Sequence, residues 1–77
     1  MTTTFRTDEI DLAALLIAET GQQPRIHVDP TRSVFEFEQT TEVNRAALAW
    51  AAGGITCNAR ELLRARRSLF NKIRGAR

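Results

Sequence analysis

An uninterrupted apolar run of seven residues, Leu12 to Ala18, lies inside a segment with helical signals at both ends. Thr7 precedes Asp8 and Glu9, a hydroxyl cap followed by two carboxylates suited to the positive end of a helix dipole. The segment therefore reads as a first helix running from Thr7 to Thr20, with Gly21 as the residue able to turn left-handed. At about 100° per residue, Leu12, Leu15 and Leu16 form one face, while Ile10, Ala13 and Ile17 fall nearly opposite. A helix apolar on two faces needs two partners. Either a sheet covers one side and another helix the other, or the second face belongs to a dimer mate. Spanning a bilayer takes about 20 apolar residues, and Met1 to Arg6 lacks the basic stretch and apolar run of a signal peptide, so no membrane role is expected. With 77 residues, the chain is expected to form one domain over residues 1–77, with a folded core of about 5–74 and no room for a cleft between subdomains.

Pro24 blocks extension of the first helix, and Arg25 to Asp29 alternates, with Ile26 and Val28 on one side and His27 on the other. Asp29-Pro30-Thr31-Arg32 is a turn, and Ser33 to Glu38 alternates again, with Phe35 and Phe37 opposite Val34, Glu36 and Glu38. A hairpin closed there pairs Val28 with Ser33, Ile26 with Phe35 and Arg25 with Glu36. Its inner face is Ile26, Val28, Phe35 and Phe37, and Phe5 extends that face if the N-terminal segment lies alongside. Thr40 or Thr41 caps a second helix in which Val43, Ala46, Ala47 and Trp50 share a face, Leu48 points elsewhere, and Gly53-Gly54 ends the element. Trp50 is expected at the centre of the core. Asn58-Ala59-Arg60-Glu61 is a capping box flanked by Cys57 and Leu62, which opens a third helix running to about Arg74. That helix is expected to bury Ala59, Leu62, Leu63, Leu69, Phe70 and Ile73. The fold class is α+β, in the order helix, two-stranded antiparallel hairpin, helix, helix, with the sheet open to extension by the N-terminus or a partner chain.

The formal net charge of +2 conceals a division. Residues 1–59 hold four arginines against eight carboxylates, net −4, while residues 60–77 hold seven basic groups against Glu61, net +6. Ten of the eleven basic residues are Arg, whose planar fork suits carboxylates, phosphates and base edges. Along the third helix Arg60, Arg64, Arg67 and Arg74 fall within about 80° of arc, with Asn71 among them, a row that matches a nucleic-acid backbone. The same row also suits the helix's own C-terminal dipole, solubility, or an acidic protein partner. Arg66 differs, projecting from the expected apolar arc between Leu62, Leu63, Leu69, Phe70 and Ile73. Its head must reach solvent, meet Glu36, Glu38 or Asp11, or enter an interface. Ile10, Ile17 and Leu48 complete the candidate interface residues.

The residues of catalysis are not assembled. His27 is the only histidine and has neither the number nor the spacing of companions that a metal site needs. Cys57 is the only cysteine, so a disulfide within the chain is excluded and a reducing, cytoplasmic setting is the simpler expectation. Asp8, Glu9 and Asp11 resemble a carboxylate cluster but are accounted for by the helix start, and Gly53-Gly54 has neither a strand before it nor a Lys-Ser/Thr after it. No enzyme activity, cofactor, metal or small-molecule substrate is expected.

Phe5-x-Thr7, the Leu12-Ala13-Ala14 run, Gly21, Val34-Phe35-x-Phe37-Glu38, and Trp50 with Gly53 resemble a family of small bacterial, archaeal and phage domains of unknown function. That family is similar in its F-x-T-x-D start, L-A-A helix, V-x-F-x-F strand, late aromatic and basic last helix, over about residues 5 to 73. Glu9 stands where the family carries its early Asp, unless Asp8 serves, and Gly53-Gly54-Ile55 replaces a more polar turn. The resemblance implies a fold and brings no activity. Two functions are expected from the residues themselves. One is a nucleic-acid-associated accessory protein contacting phosphates through Arg60, Arg64, Arg67 and Arg74; the other is a protein-interaction or homodimeric assembly module using Ile10, Ile17 and Leu48.

Overall fold

The computed structural model describes residues 3–76, so the start of the N-terminal segment and Arg77, the last of the C-terminal cations, lie outside it. The elements are β1 (Thr4–Thr7), α1 (Ile10–Thr20), β2 (Arg25–Val28), β3 (Ser33–Glu38), α2 (Thr41–Ala52) and α3 (Ala59–Ala76). The fold is α+β, with a three-stranded antiparallel sheet in the order β1-β3-β2. The expected two-stranded hairpin is thus corrected to three strands: Thr4–Thr7 pairs along β3, with Phe5 opposite Phe37 and Thr7 opposite Phe35. The β2-β3 register is as read from the alternation, with Ile26 opposite Phe35, Val28 opposite Ser33 and Arg25 opposite Glu36.

Because Thr7 ends a strand, it does not cap the first helix. α1 begins at Ile10 after an extended Glu9, while the Thr7 hydroxyl accepts the Glu9 N–H at 3.1 Å and fixes the corner. Gly21 ends α1 at φ 73°, a left-handed conformation that strains any residue with a Cβ, and its N–H donates to the Ile17 carbonyl. Thr40 caps α2, its hydroxyl accepting from the Val43 N–H, and Gly53 closes that helix at φ 75°. After α1, the Gln22 side-chain amide donates to the Glu38 carbonyl at 3.0 Å and accepts from the Glu38 N–H, standing in for a backbone partner beside Pro24.

Five consecutive residues of α1, Leu12 to Leu16, are buried. This happens because the chain's own elements surround the helix: α2 and α3 flank it, and the sheet turns Phe35 and Phe37 into the same core. Both apolar faces are therefore covered from within, and Ile10 and Ile17 lie half-buried against that core. The largest fully buried side chains are Phe35, Phe37, Leu15, Leu16, Leu69 and Val43. Trp50 is not central. It is half-buried at the rim, where its indole N–H donates to Glu9 at 3.1 Å, because a fully enclosed indole would strand that donor.

α3 is rotated from its expected phase. Its core side is Leu62, Ala65, Leu69 and Ile73, with Ala65 buried and Leu69 fully so, whereas Ala59 is exposed and Leu63 and Phe70 are 61% and 41% exposed. Small Ala65 marks where α3 and α1 come close, and centring the helix on it swings the two larger residues toward water. This phase predicts that Leu69→Ala costs about 2–5 kcal/mol in urea unfolding, while Leu63→Ala stays within about 0.5 kcal/mol. Equal costs at the two positions would contradict it.

Candidate nucleic-acid interface

The N-terminus of α3 is fixed by Asn58, whose side-chain oxygen accepts the Glu61 N–H at 3.1 Å. Cys57 and Leu62, on either side of that cap, are half-buried against the core and hold the entry of the helix. With Leu62, Ala65, Leu69 and Ile73 facing inward, helical geometry carries Arg60, Arg64, Arg67, Asn71 and Arg74 to the opposite, exposed side. From Arg60 to Arg74 the row extends roughly 21 Å along the axis. Among the described residues, none of these four arginines has a carboxylate within ion-pair distance.

Several other cations are engaged, while Arg25 and Arg45 have no carboxylate within ion-pair distance among the described residues. Arg6 meets Glu36 at 3.4 Å, Arg32 meets Asp8 at 3.4 Å, and Lys72 donates to Gln23 at 3.0 Å. Arg66 Nε donates to Asp11 at 2.7 Å, and its guanidinium lies 5.1 Å from the centre of the Phe70 ring. Of the partners open to Arg66 from sequence, Asp11 is the one used, since the α3 phase sets Arg66 at the edge of the α1-α3 seam and not mid-arc. The carboxylates at the start of α1 thus reach three different elements: Asp8 the β2-β3 turn, Glu9 Trp50 of α2, and Asp11 Arg66 of α3.

Leu63 and Phe70, expected in the core, instead join Arg66, Arg67, Asn71 and Arg74 in lining a shallow depression of about 280 Å³. Their neighbourhood with the arginines was hidden in the sequence, because a phase centred on the bulkiest residues draws both inward. The small buried Ala65 is the signal that corrects it. Leu48, on α2, is 72% exposed. Among the described residues no group of three His, Cys, Asp or Glu side chains is placed to hold a metal ion, and no helix is long and apolar enough to cross a membrane.

On the outer face of the sheet, His27 lies opposite Val34, and its Nε2 is 3.1 Å from Glu36. This hydrogen bond, helped by the charges of Arg6 and Arg25, holds the Glu36 carboxyl below its ordinary range. Asp29 is lowered as well, accepting the Arg32 and Thr31 backbone N–H groups at 3.0 and 2.9 Å and the Thr31 hydroxyl at 2.9 Å. Compared with protein-family models, with curated proteins and with solved structures, the chain finds no match in any of the three.

Both carboxylates are more acidic folded than unfolded, so their stabilisation is complete above the ordinary carboxylate range and is lost as pH falls through their lowered folded values. Tm is expected to fall below about pH 4, and Glu36→Gln with Asp29→Asn to flatten that fall. A scan of Tm against pH in which the double variant follows the parent would contradict this assignment.

Proposed function

We propose that this protein is a small, non-enzymatic, nucleic-acid-associated accessory protein that contacts phosphates through the outer face of α3. Arg60, Arg64, Arg67 and Arg74 are the contacts, with Asn71 as a neutral donor and acceptor among them. The observation that carries this reading is the concentration of four exposed, unneutralised arginines on one face of α3 among the described residues, where Arg6, Arg32 and Arg66 are paired with carboxylates and the unpaired Arg25 and Arg45 stand singly on β2 and α2. Each phosphate neutralised releases counterions, so binding of this kind weakens steeply with salt and carries little sequence preference of its own. A cytoplasmic setting belongs to the proposal and is supported by the single free, half-buried Cys57.

The test is a titration of labelled nucleic acid across a salt series. Replacing Arg64 and Arg67 together by Ala is expected to weaken binding and to lower the slope of log affinity against log salt by roughly 1.4–1.8, from two lost phosphate contacts. An unchanged slope overturns the reading.

A second reading, an assembly module with a second copy or an acidic protein as partner, is favoured by Leu48, the most exposed large apolar residue described. If Leu48 is the contact, Leu48→Gln leaves folding intact and shifts a dimer toward monomer in sedimentation. A mass identical to the parent's removes Leu48 from any such interface.

A further inference from the structure

Leu63 and Phe70 are two large apolar side chains left in water on a helix whose core side is already filled. They stand two turns apart, about 10.5 Å along the axis, in one depression with Arg66, Arg67, Asn71 and Arg74. An occupant must offer an apolar face to the ring and negative charge to the arginines around it. A second copy of this chain, docked symmetrically through this depression, would bring the arginine cluster against a like cluster. A peptide helix seeks a continuous apolar groove with anchors every turn, and here arginine interrupts the two apolar residues. A duplex keeps its base faces stacked inside. A single strand presents a flat base and a flanking phosphate together.

We infer, resting on the phosphate reading above, that α3 takes single-stranded nucleic acid, one base stacking on Phe70 against Leu63 while Arg67 and Arg74 hold the adjoining phosphates. Arg66 is a positioning residue. Asp11 ties down its guanidinium, which lies against the Phe70 ring and limits the orientations the ring takes before a base arrives. Asn71 lies in the same depression, where its amide is able to meet a base edge.

The experiment measures fluorescence anisotropy of labelled oligo-dT, oligo-rU and a duplex DNA of equal length with the full chain. The single strands are expected to bind at least about tenfold more tightly than the duplex, and Phe70→Ala to lose about 5- to 150-fold of that affinity with its salt slope unchanged. Phe70→Leu, which keeps apolar bulk and lacks the ring, is expected to lose as much, while Phe70→Trp retains binding; circular dichroism checks that each variant is folded. Tighter binding of either single strand, dT or rU, than of the duplex supports the inference. Duplex binding as tight as single-strand binding, with Phe70→Ala and Phe70→Leu both silent, overturns the stacking and leaves the phosphate reading standing. Displacement of the strand by poly-glutamate as readily as by unlabelled oligonucleotide overturns it in favour of an acidic protein partner. No binding of any probe at low salt overturns both readings.

Discussion

A helix buried on every side through five successive residues dictates the architecture. Leu12 to Leu16 of α1 need cover in more directions than one neighbour can give, and the chain supplies it with the sheet and two flanking helices. In a chain of 77 residues that demand consumes most of the apolar material available. Phe35, Phe37, Val43 and Leu69 are spent on the same core, each from a different strand position or helix. What remains apolar outside it, Leu48, Leu63 and Phe70, is surplus to folding and so stands out.

The same arrangement sorts the charges. The β1-α1 corner gathers Asp8, Glu9 and Asp11, and each reaches a partner on a different element. Exposed contacts of this kind contribute about 0–1 kcal/mol each, so their effect is less on stability than on which cations remain free. Arg32 and Arg66 are paired by them, and Glu36 gathers Arg6 and His27 on the outer sheet face. Arg60, Arg64, Arg67 and Arg74 of α3 are left facing solvent with no ion-pair partner among the described residues. A one-sided field of this sort attracts polyanions and speeds their encounter.

Much of this was legible in the residues. Strict alternation and the Asp-Pro turn set the β2-β3 register without knowledge of the rest, and Gly21, Thr40, Gly53 and Asn58 mark helix ends through local chemistry. β1 was harder, having four residues, one large apolar side chain and a partner strand about thirty residues away. The α3 phase misled because side-chain size outweighed Ala65, which is buried for its smallness at a close helix approach. Trp50 misled for a related reason: bulk suggested the centre, while its N–H required an edge with Glu9 in reach. The arginine row itself follows from periodicity alone. That it is unneutralised depends on where the carboxylates go in three dimensions, which no local pattern carries.

Both edges of the sheet are built to stop. β1 and β2 have four residues each and Pro24 stands immediately before β2, while the Gln22 amide pairs with Glu38 of the central strand and prolongs the β2 side of β3 past the proline. Arg25 and His27 add exposed, ionisable side chains to the outer rim. Such an edge makes a poor template for strand addition. Short, interrupted edges of this kind make the sheet resistant to templated growth into fibrils.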